Sequence, residues 1–374
     1  PVWAEEEEET PVPATIDELI TEIENIVAES DLVSVGIALV DRSGPLWVGS
    51  VGKADVENNI DADADTMYRI GSTSKMFASL SVLKLVEEGR LSLDDKLADL
   101  APEIGFENEW EDTHPVRVVH LLEHTTGWDD IHLPEYAHSD PDPVTLKAGL
   151  DFHPHSRVSR WKPGSRMAYC NAGPPVAAYI VEQVTGQDYE AYVQENFFDP
   201  LGMATTTYRY SDTYQEKGAT LYAGGEPQPY WHIIMRPSGS INASPADMAK
   251  FLLFYLNRGA VNGEPLVSEK SLKRMESVGS TPAAAAGQVG GYGLSNYTSS
   301  HDSWIYRAHN GGVTGGASDF SYMPDAGIGY SLLFNSDDFQ AMRDVMELVG
   351  DFQTQNLAPP EKTPAVSLEV AHHV

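Results

Sequence analysis

The chain has 374 residues, 41% of them hydrophobic and 21% charged, which is enough apolar material for one large domain or two closely packed ones. Asp and Glu number 56 against 24 Lys and Arg, so the formal net charge is −32. A surface this acidic repels nucleic acid and anionic membranes, and we expect neither as a partner. The acid excess is typical of adaptation to high salt, although plain acidity without that adaptation fits equally well.

The two ends of the chain carry separate expectations. Val2-Trp3-Ala4 followed by five glutamates resembles the end of a signal peptide joined to a solvated N-terminus, so we expect an exported protein, periplasmic or extracellular. The stretch 354–374 is polar and Pro-rich, and we interpret it as a tail or linker. A single cysteine, Cys170, excludes an internal disulfide. No apolar stretch approaches the length of a membrane span.

The first third of the sequence predicts a helix, a hairpin and a second helix. Apolar residues at helical spacing predict an amphipathic helix over 16–30, with Thr15 as its N-cap. The β-rich segments 32–41 and 46–55 predict a hairpin. A helical pattern over 76–89 ends at Gly89, a residue typical of helix C-termini.

The remaining two thirds predict a mainly helical middle and a return to strands. The middle helices are predicted over 175–186, 188–197 and 245–258, with long Pro- and Gly-rich loops between them. The final third predicts strands over 303–309, 318–324 and 327–335 and a helix over about 338–352.

Strands from both ends of the chain predict one shared sheet. We therefore predict an α+β fold: one antiparallel β-sheet flanked by N- and C-terminal helices, with a mainly α-helical region packed beside it. Residues 1–14 are expected to form an acidic tail and 15–353 a single domain. Within that domain, the α/β part is expected over about 15–75 and 290–353 and the mainly α part over about 76–289.

A serine three residues before a lysine occurs at several places, and two of these pairs begin or lie within a predicted helix: Ser72/Lys75 and Ser81/Lys84. The second pair lies in the middle of a predicted helix, where a serine hydroxyl bonds back to a carbonyl and the lysine is solvated. The first pair lies where a strand-like segment passes through Gly71 into a helix, so Lys75 is able to reach the Ser72 oxygen. Position therefore favours Ser72 as a nucleophile.

Other hydrolytic and metal motifs do not fit the sequence. It contains no G-x-S-x-G elbow and no H-E-x-x-H zinc motif. The acidic run 61–65 imitates a calcium loop, but Thr66 stands in place of the required glycine, so we interpret the run as a polar turn. His153 and His155 form too isolated a pair to indicate a metal site. We therefore predict no metal and no other cofactor.

Six segments together resemble the serine β-lactamase-like superfamily. They are RIGSTSKMF (69–77), VVHLLEHTTGW (118–128), WKPGSRMAYCNAG (161–173), FFDPLGMATTTY (197–208), RPSGSINASPADMAKFL (236–252) and RAHNGGVTGGASDF (307–320). The chain is most similar to the branch that holds class C β-lactamases, DD-carboxypeptidases, D-aminopeptidases and family VIII carboxylesterases. Three motifs appear in the order of the family: Ser72-x-x-Lys75, Tyr169-x-Asn171 and His309-x-Gly311. The resemblance covers roughly residues 16–352 and implies a β-lactamase/transpeptidase-like fold.

The resemblance also implies roles for the motif residues. Ser72 would be the nucleophile, and Lys75 and Tyr169 would share the proton transfers, with the ammonium lowering the phenol pKa. Asn171 would hold Lys75 and the acyl amide of the substrate. In the third motif, His309 and Gly311 would line the site, and an oxyanion hole would be formed by the backbone N–H groups of Gly312 and Ser72.

Two departures from the family pattern shape the expected activity. Cys170 stands where serine is common, and we interpret it as a buried, inert thiol. His309 stands where efficient β-lactamases have lysine, so we expect weak or no β-lactamase activity. We also expect His309 to carry positive charge, and to bind a substrate carboxylate, only toward acid pH.

The sequence thus predicts a serine hydrolase with an acyl-enzyme at Ser72, acting as an esterase or as a D-amino-acid or DD-peptidase. Its substrate would be a small-molecule ester, peptide or β-lactam. The alternative is a penicillin-binding sensor or scaffold that is acylated without turnover. The oligomeric state stays open.

Overall fold

The structure, a computed structural model, describes residues 12–138 and 144–358. The predicted signal-peptide remnant and most of the predicted C-terminal tail, residues 1–11 and 359–374, lie outside the described residues.

The long helices α1 and α14 lie at the two ends of the described chain, and the other helices lie between them. The bounds of all these helices are α1 (Ile16–Glu29), α2 (Lys75–Glu87), α3 (Leu97–Leu100), α4 (Val118–Leu122), α5 (Leu133–Tyr136), α6 (Leu146–Phe152), α7 (Gly173–Thr185), α8 (Tyr189–Val193), α9 (Asp199–Leu201), α10 (Asp212–Lys217), α11 (Pro245–Leu256), α12 (Glu269–Met275), α13 (Pro282–Ala285) and α14 (Phe339–Thr354). Thr15 caps α1 in a capping box with Glu18, which confirms the predicted helix start.

Seven strands form the main sheet, and shorter strands form two-stranded ladders. The bounds are β1 (Ser34–Asp41), β2 (Gly44–Asp55), β3 (Ile60–Asp61), β4 (Tyr68–Arg69), β5 (Ala137–His138), β6 (Leu221–Ala223), β7 (Glu226–Gln228), β8 (His232–Ile233), β9 (Asn242–Ala243), β10 (Ala260–Val261), β11 (Glu264–Pro265), β12 (Tyr297–His301), β13 (Trp304–Val313), β14 (Gly316–Met323) and β15 (Ile328–Phe334). The main sheet has the order β12-β13-β14-β15-β1-β2-β3 with antiparallel pairing.

The two ends of the chain meet in the middle of this sheet. Strand β1 pairs with β15 in a register that sets Val35 opposite Phe334. The predicted hairpin, the shared antiparallel sheet and the α+β fold class are confirmed.

Each face of the sheet has its own apolar core. Along β1, Val35, Ile37 and Leu39 pack with α1 and α14, whereas Ala38 and Val40 pack with the helical layer. This separation follows from the two-residue period of a strand, which sends successive side chains to opposite faces. The helical layer contributes α2, α7 and α11 to the second core, and it carries the catalytic candidates.

Two elements differ from the sequence prediction. Strand β12 was not predicted, because the polar segment Tyr297–His301 is only partly buried and lies at the edge of the sheet. The helix predicted over 188–197 is α-helical only to Val193 and continues as a π-helix over Gln194–Phe198. Pro200 follows closely, and its missing N–H removes one α-helical hydrogen bond. Among the described residues, no helix has the length and apolar character to cross a membrane.

Candidate active site

Ser72 lies in a short turn between a two-residue strand and the first long helix of the helical layer. Strand β4 ends at Arg69, a 3₁₀ turn covers Gly71–Ser74, and α2 begins at Lys75. In 3₁₀ geometry the side chains at positions i and i+3 eclipse each other. Lys75 Nζ accordingly lies 2.8 Å from Ser72 Oγ and donates a hydrogen bond to it.

The second Ser-x-x-Lys pair has no such contact. Ser81 Oγ donates to the carbonyl oxygen of Phe77 at 2.7 Å, one turn back along α2. Lys84 Nζ lies 3.5 Å from the carbonyl oxygen of Leu266. The predicted difference between the two pairs is confirmed for the serine hydroxyls.

Two glycines bring strand β13 against the turn that holds Ser72. Gly71 has a φ of +52°, and a Cβ there would lie 2.6 Å from the backbone nitrogen of Gly312. A Cβ on Gly311 would lie 1.9 Å from Ile70 O and 2.8 Å from Ser72 N. Side chains cannot occupy such positions, so both require glycine. The contact sets the backbone of Gly311 and Gly312 next to the backbone nitrogen of Ser72, as the predicted oxyanion site requires.

The same part of β13 projects beyond its outer neighbour. The pairing of β12 with β13 stops at Ala308, whereas β14 pairs with β13 as far as Val313. Thr73 Oγ1 donates to His309 O at 3.3 Å, which ties the turn to this projecting segment. Backbone groups of 309–313 therefore form one wall of the site.

Lys75 is wholly buried, and burial dominates its electrostatics. Its Nζ donates to Ser72 Oγ and, at 2.6 Å, to the carbonyl oxygen of Ser238. Burial lowers the pKa of Lys75 to about 7, while the charge of Asp130 acts in the opposite direction. Near neutral pH a large fraction of Lys75 is therefore an uncharged amine, which is able to accept a proton.

Tyr169 lies beside this pair and stays protonated. Its ring centroid is 5.1 Å from Lys75 Nζ, and its phenol is hydrogen-bonded to Ser72. Burial raises the pKa of Tyr169 well above its usual value, and the bond to Ser72 offsets only part of that rise. The expectation of a lowered phenol pKa is therefore wrong, because burial is the dominant influence and raises it. Lys75 is the better base of the two.

Asn171 is held by an aspartate that the sequence analysis did not single out. Its side-chain amide donates to both carboxylate oxygens of Asp130 at 3.1 Å, and its backbone N–H donates to Asp130 Oδ1 at 2.8 Å. Its carbonyl oxygen accepts from Ser238 Oγ at 2.5 Å. Asn171 was expected to hold Lys75 directly, but Lys75 bonds to Ser72 and Ser238 instead, so the link runs through Ser238.

His309 is buried in a chain of hydrogen bonds. Its Nδ1 lies 2.6 Å from Asn310 O, and its Nε2 lies 2.7 Å from the Tyr292 hydroxyl. The Tyr292 hydroxyl also lies 3.1 Å from His124 Nε2, and His124 Nδ1 accepts from the backbone N–H of Cys170 at 3.1 Å.

When both histidines are neutral, only one placement of the protons is consistent with these hydrogen bonds. A carbonyl oxygen only accepts, so His309 Nδ1 carries the hydrogen and Nε2 accepts from Tyr292. His124 Nδ1 accepts, so its Nε2–H donates to Tyr292. Burial lowers the pKa of His309 to about 3, and the charge of Lys75 adds to this shift. The expectation that His309 becomes cationic and binds a carboxylate in mild acid is therefore wrong.

Cys170 is inert, as predicted. Its side chain is buried, and burial raises the pKa of the thiol to about 12. The thiol donates to Asp129 O at 2.9 Å. Cys170 therefore stays a protonated thiol in the neutral range.

A cavity of about 840 Å³ lies at the sheet edge, and the predicted site residues other than Lys75 and Asn171 line it. It is lined near the turn by Ser72, Tyr136, Tyr169, Tyr292, Tyr297, His309, Gly311 and Gly312, and it continues past β13 to Met342 and Arg343 of α14. The residues that the sequence analysis missed are Asp130, Ser238, His124 and Tyr292. His124 and Ser238 fall inside segments that carried the resemblance, and Asp130 follows one of them by two residues. Tyr292 lies in a Gly-rich stretch without a motif.

Proteins of Staphylococcus aureus and Mycobacterium tuberculosis are similar to the chain. Protein flp of Staphylococcus aureus (strain NCTC 8325 / PS 47) is 25% identical over 245 residues, which cover 63% of this chain and 48% of that protein. This chain thus spans about half the length of protein flp. Protein Rv1367c of Mycobacterium tuberculosis (strain ATCC 25618 / H37Rv) is 26% identical over 286 residues, which cover 67% of this chain and 69% of that protein.

Two solved structures and a family profile are also similar to the chain. The octameric penicillin-binding protein homologue from Pyrococcus abyssi has a TM-score of 0.74 at 26% identity and covers 90% of this chain and 77% of its own. The β-lactamase/D-alanine carboxypeptidase from Pseudomonas syringae shares the fold, with a TM-score of 0.73 at 17% identity over 91% of this chain and 98% of its own. A family profile described as Beta-lactamase matches residues 19–351. The resemblance to the serine β-lactamase-like superfamily is therefore confirmed, and the chain belongs to the Beta-lactamase family.

Proposed function

We propose that this protein is a serine hydrolase that forms an acyl-enzyme at Ser72 and acts on esters or on D-amino-acid peptides. The observation that carries the proposal is the 2.8 Å contact between Lys75 Nζ and Ser72 Oγ, in a site where burial lowers the lysine pKa to about 7. A serine hydroxyl needs an adjacent base to become nucleophilic, and an uncharged buried amine meets that need.

Acylation follows from these contacts. Ser72 Oγ attacks the carbonyl carbon of the substrate, and its proton passes to the uncharged amine of Lys75. The carbonyl oxygen gains the negative charge and accepts hydrogen bonds from the backbone N–H groups of Ser72 and Gly312. As the bond to the leaving group breaks, the Tyr169 hydroxyl gives that group its proton and recovers one from the Lys75 ammonium. Deacylation repeats the sequence with water as the nucleophile and Lys75 as the base.

The charges of the cavity favour an uncharged ester over a β-lactam that carries a carboxylate. His309 stays neutral above a pH of about 3, so it offers no cation to a carboxylate in the neutral range. Arg343 lines the cavity from α14, which packs on the opposite face of the sheet from α2. We therefore expect weak β-lactam hydrolysis, and rank short-chain esters and uncharged D-amino-acid peptides ahead of it.

The decisive experiment is a pre-steady-state measurement with a chromogenic p-nitrophenyl ester. We expect a burst followed by steady turnover in the wild type and no burst in Ser72→Ala. Ser81→Ala is the matched control, because Ser81 has the same spacing to a lysine but bonds within its helix. A stoichiometric burst without turnover would indicate the alternative, a penicillin-binding sensor or scaffold. A fluorophosphonate adduct on a serine other than Ser72 would overturn the assignment.

The substrate class is tested with a panel. Rates for p-nitrophenyl esters, D-Ala-D-Ala peptides with an amidated C-terminus and nitrocefin, each compared with Ser72→Ala, separate esterase, peptidase and β-lactamase activity. We expect the ester or the D-amino-acid peptide to give the highest kcat/KM. Nitrocefin as the best substrate would contradict the proposed preference.

A further inference from the structure

Three side chains from two separate segments meet at His132, Glu135 and His153, here called the His132 cluster. The Nδ1 atoms of His132 and His153 lie 3.2 Å apart. Glu135 Oε2 lies 3.9 Å from the first of these nitrogens and 3.5 Å from the second. His153 was expected to belong to an isolated histidine pair, because nothing in the sequence indicates that the two segments meet.

The three separations match the spacing of ligands around a small four-coordinate cation. Zinc binds histidine nitrogen and carboxylate oxygen at about 2.0 to 2.2 Å, so the ligands of a tetrahedral site lie about 3.3 to 3.6 Å from one another. The observed separations of 3.2, 3.5 and 3.9 Å bracket that range. Two imidazole nitrogens and one carboxylate oxygen form a donor set suited to zinc and similar divalent transition metals.

The surroundings of the cluster favour bound metal over solvated side chains. The Glu135 side chain is fully buried, and it accepts from the His132 backbone N–H at 2.6 Å and from Ser156 Oγ at 3.3 Å. A carboxylate has about four lone-pair sites, so these bonds leave room for a metal. Burying a carboxylate without a cation is costly. Arg157 attracts Glu135 electrostatically, but its guanidinium donates through Nε to Gly105 O.

The imidazoles also have the outer partners that metal-binding histidines use. His132 Nε2, the nitrogen that would not face the metal, lies 3.9 Å from Asp129 Oδ2. A carboxylate behind a ligating histidine fixes its tautomer and increases its basicity. The side chains of His132 and His153 are 43% and 32% exposed, so the open side of the cluster faces solvent and admits a metal and a water ligand.

We infer that the His132 cluster binds a zinc-like divalent cation through His132 Nδ1, His153 Nδ1 and Glu135 Oε2, with water as a further ligand. Such a cation would join the segment 129–136 to the segment around His153. The first of these segments carries Asp130, which holds Asn171, and Tyr136, which lines the catalytic cavity. The metal would therefore order one wall of the active site. This consequence for catalysis, unlike metal binding itself, rests on the proposed function.

The rival explanation for the cluster is a plain hydrogen bond between two imidazoles. At 3.2 Å, one Nδ1–H would donate to the other Nδ1 without any metal. The other group in the described part of the chain with comparable donors is His301, Asp302 and Asp351. There His301 Nε2 lies 2.7 Å from Asp351 Oδ1, so its geometry is that of a hydrogen bond between two partly exposed side chains, and it serves as a control.

The test is a titration of the tag-free, chelator-treated full chain with Co²⁺, followed by displacement with Zn²⁺. We expect one Co²⁺ per chain with the visible bands of a four-coordinate site, and we expect Zn²⁺ to abolish those bands. His153→Ala and Glu135→Gln should each weaken binding at least about tenfold, since even the loss of an outer partner costs that much. His155→Ala and His301→Ala should bind as the wild type does. Zn²⁺ should raise the Tm of the wild type and not that of His153→Ala.

The inference is overturned by absence of the four-coordinate bands in the wild type, or by equal Co²⁺ affinity in His153→Ala and the wild type. Loss of binding in His301→Ala alone would assign the metal to the other group and also overturns it. Because His153 is partly exposed, circular dichroism of His153→Ala should remain native, which separates lost binding from lost folding. None of these readouts uses ester turnover, so failure of the metal inference is distinguishable from failure of the proposed hydrolase.

Discussion

Tyr292 and His309 share a 2.7 Å hydrogen bond in which the phenol donates and the imidazole Nε2 accepts. The direction follows from the other side of the ring, where Nδ1 faces the carbonyl oxygen of Asn310. One nitrogen of this imidazole already donates a hydrogen bond and the other accepts one, so a second proton would replace an accepted hydrogen bond. Burial also lowers the pKa of His309. The third family motif thus contributes a neutral wall to the site instead of a cation.

The first prediction concerns this neutral histidine. Because the pKa of His309 is about 3, its charge does not change between pH 5.5 and 8. The quantity of interest is the ratio of two kcat/KM values, that for a carboxylate-bearing peptide over that for a neutral ester. We expect titration of His309 to cause no change in this ratio across that pH range. The measurement is the slope of this ratio against pH in the wild type and in Tyr292→Phe. A ratio that falls several-fold from pH 5.5 to 8 in the wild type would mean that a cationic histidine does bind the carboxylate.

The second prediction concerns the base. The uncharged form of Lys75 is the active one, so kcat/KM for a neutral ester should rise with pH and level off above about pH 7. Asp130 raises the lysine pKa through its charge, so Asp130→Asn should move this rise to lower pH. Asp129→Asn, measured in the presence of chelator, is the neighbouring control and should leave the midpoint in place. An unchanged midpoint in Asp130→Asn would show that another group governs the profile.

The third prediction follows from the cost of burying Lys75. Its folded pKa of about 7 lies below its usual value of 10.5, so protons favour the unfolded chain. The penalty is complete below about pH 7 and disappears as pH rises toward 10.5. The difference between 10.5 and about 7 corresponds to about 5 kcal/mol, and two lost hydrogen bonds return about 1 kcal/mol each.

Lys75→Met should therefore raise the free energy of unfolding by about 3 kcal/mol at pH 6, and by less at pH 9. Denaturant unfolding at the two pH values measures the difference. Lys84→Met is the matched control, because Lys84 is only partly buried in the same helix. A Lys75→Met protein that is no more stable than the wild type at pH 6 would contradict the buried-amine argument.

Much of the fold could be predicted from local patterns. The hairpin of β1 and β2 and the strands β13 to β15 show apolar runs or alternation bounded by turn residues, and these signals are local. Strand β12 carries no such signal, since YTSSH is polar and its pairing depends on the partner strand.

The contact between Ser72 and Lys75 was predictable from the sequence, whereas the charges of the site and several of its other members were not. The Ser72 to Lys75 spacing placed the two side chains together, because that geometry is set by three residues of backbone. The pKa values of Lys75, Tyr169 and His309 depend on burial by segments distant in sequence. The spacing of the motif residues does not indicate how deeply each one is buried. Asp130 likewise reaches Asn171 across 41 residues of sequence.

The fourth prediction tests the acid excess. With 56 acidic and 24 basic side chains, carboxylates repel one another at low ionic strength. Added salt shortens the range of this repulsion, because the Debye length is about 10 Å at 0.1 M and about 3 Å at 1 M. The Tm should therefore rise from low to molar sodium chloride. Thermal scans at several salt concentrations measure it. A flat or falling Tm would leave the acid excess unexplained by adaptation to salt.

The last prediction compares two glycines with the same backbone conformation. Gly71 and Gly89 have φ values of +52° and +69°, so alanine at either position costs about 1 kcal/mol through the left-handed backbone. At Gly89 an added Cβ meets nothing within 4 Å, whereas at Gly71 it would lie 2.6 Å from the nitrogen of Gly312. Gly71→Ala must therefore push β13 away from Ser72 and displace one of the proposed oxyanion donors. Loss of such a donor costs about 100-fold or more in kcat, so we expect that loss in Gly71→Ala and near wild-type kcat in Gly89→Ala. Steady-state kinetics with a p-nitrophenyl ester decides the matter, and equal kcat values for the two variants would remove Gly312 from the oxyanion site.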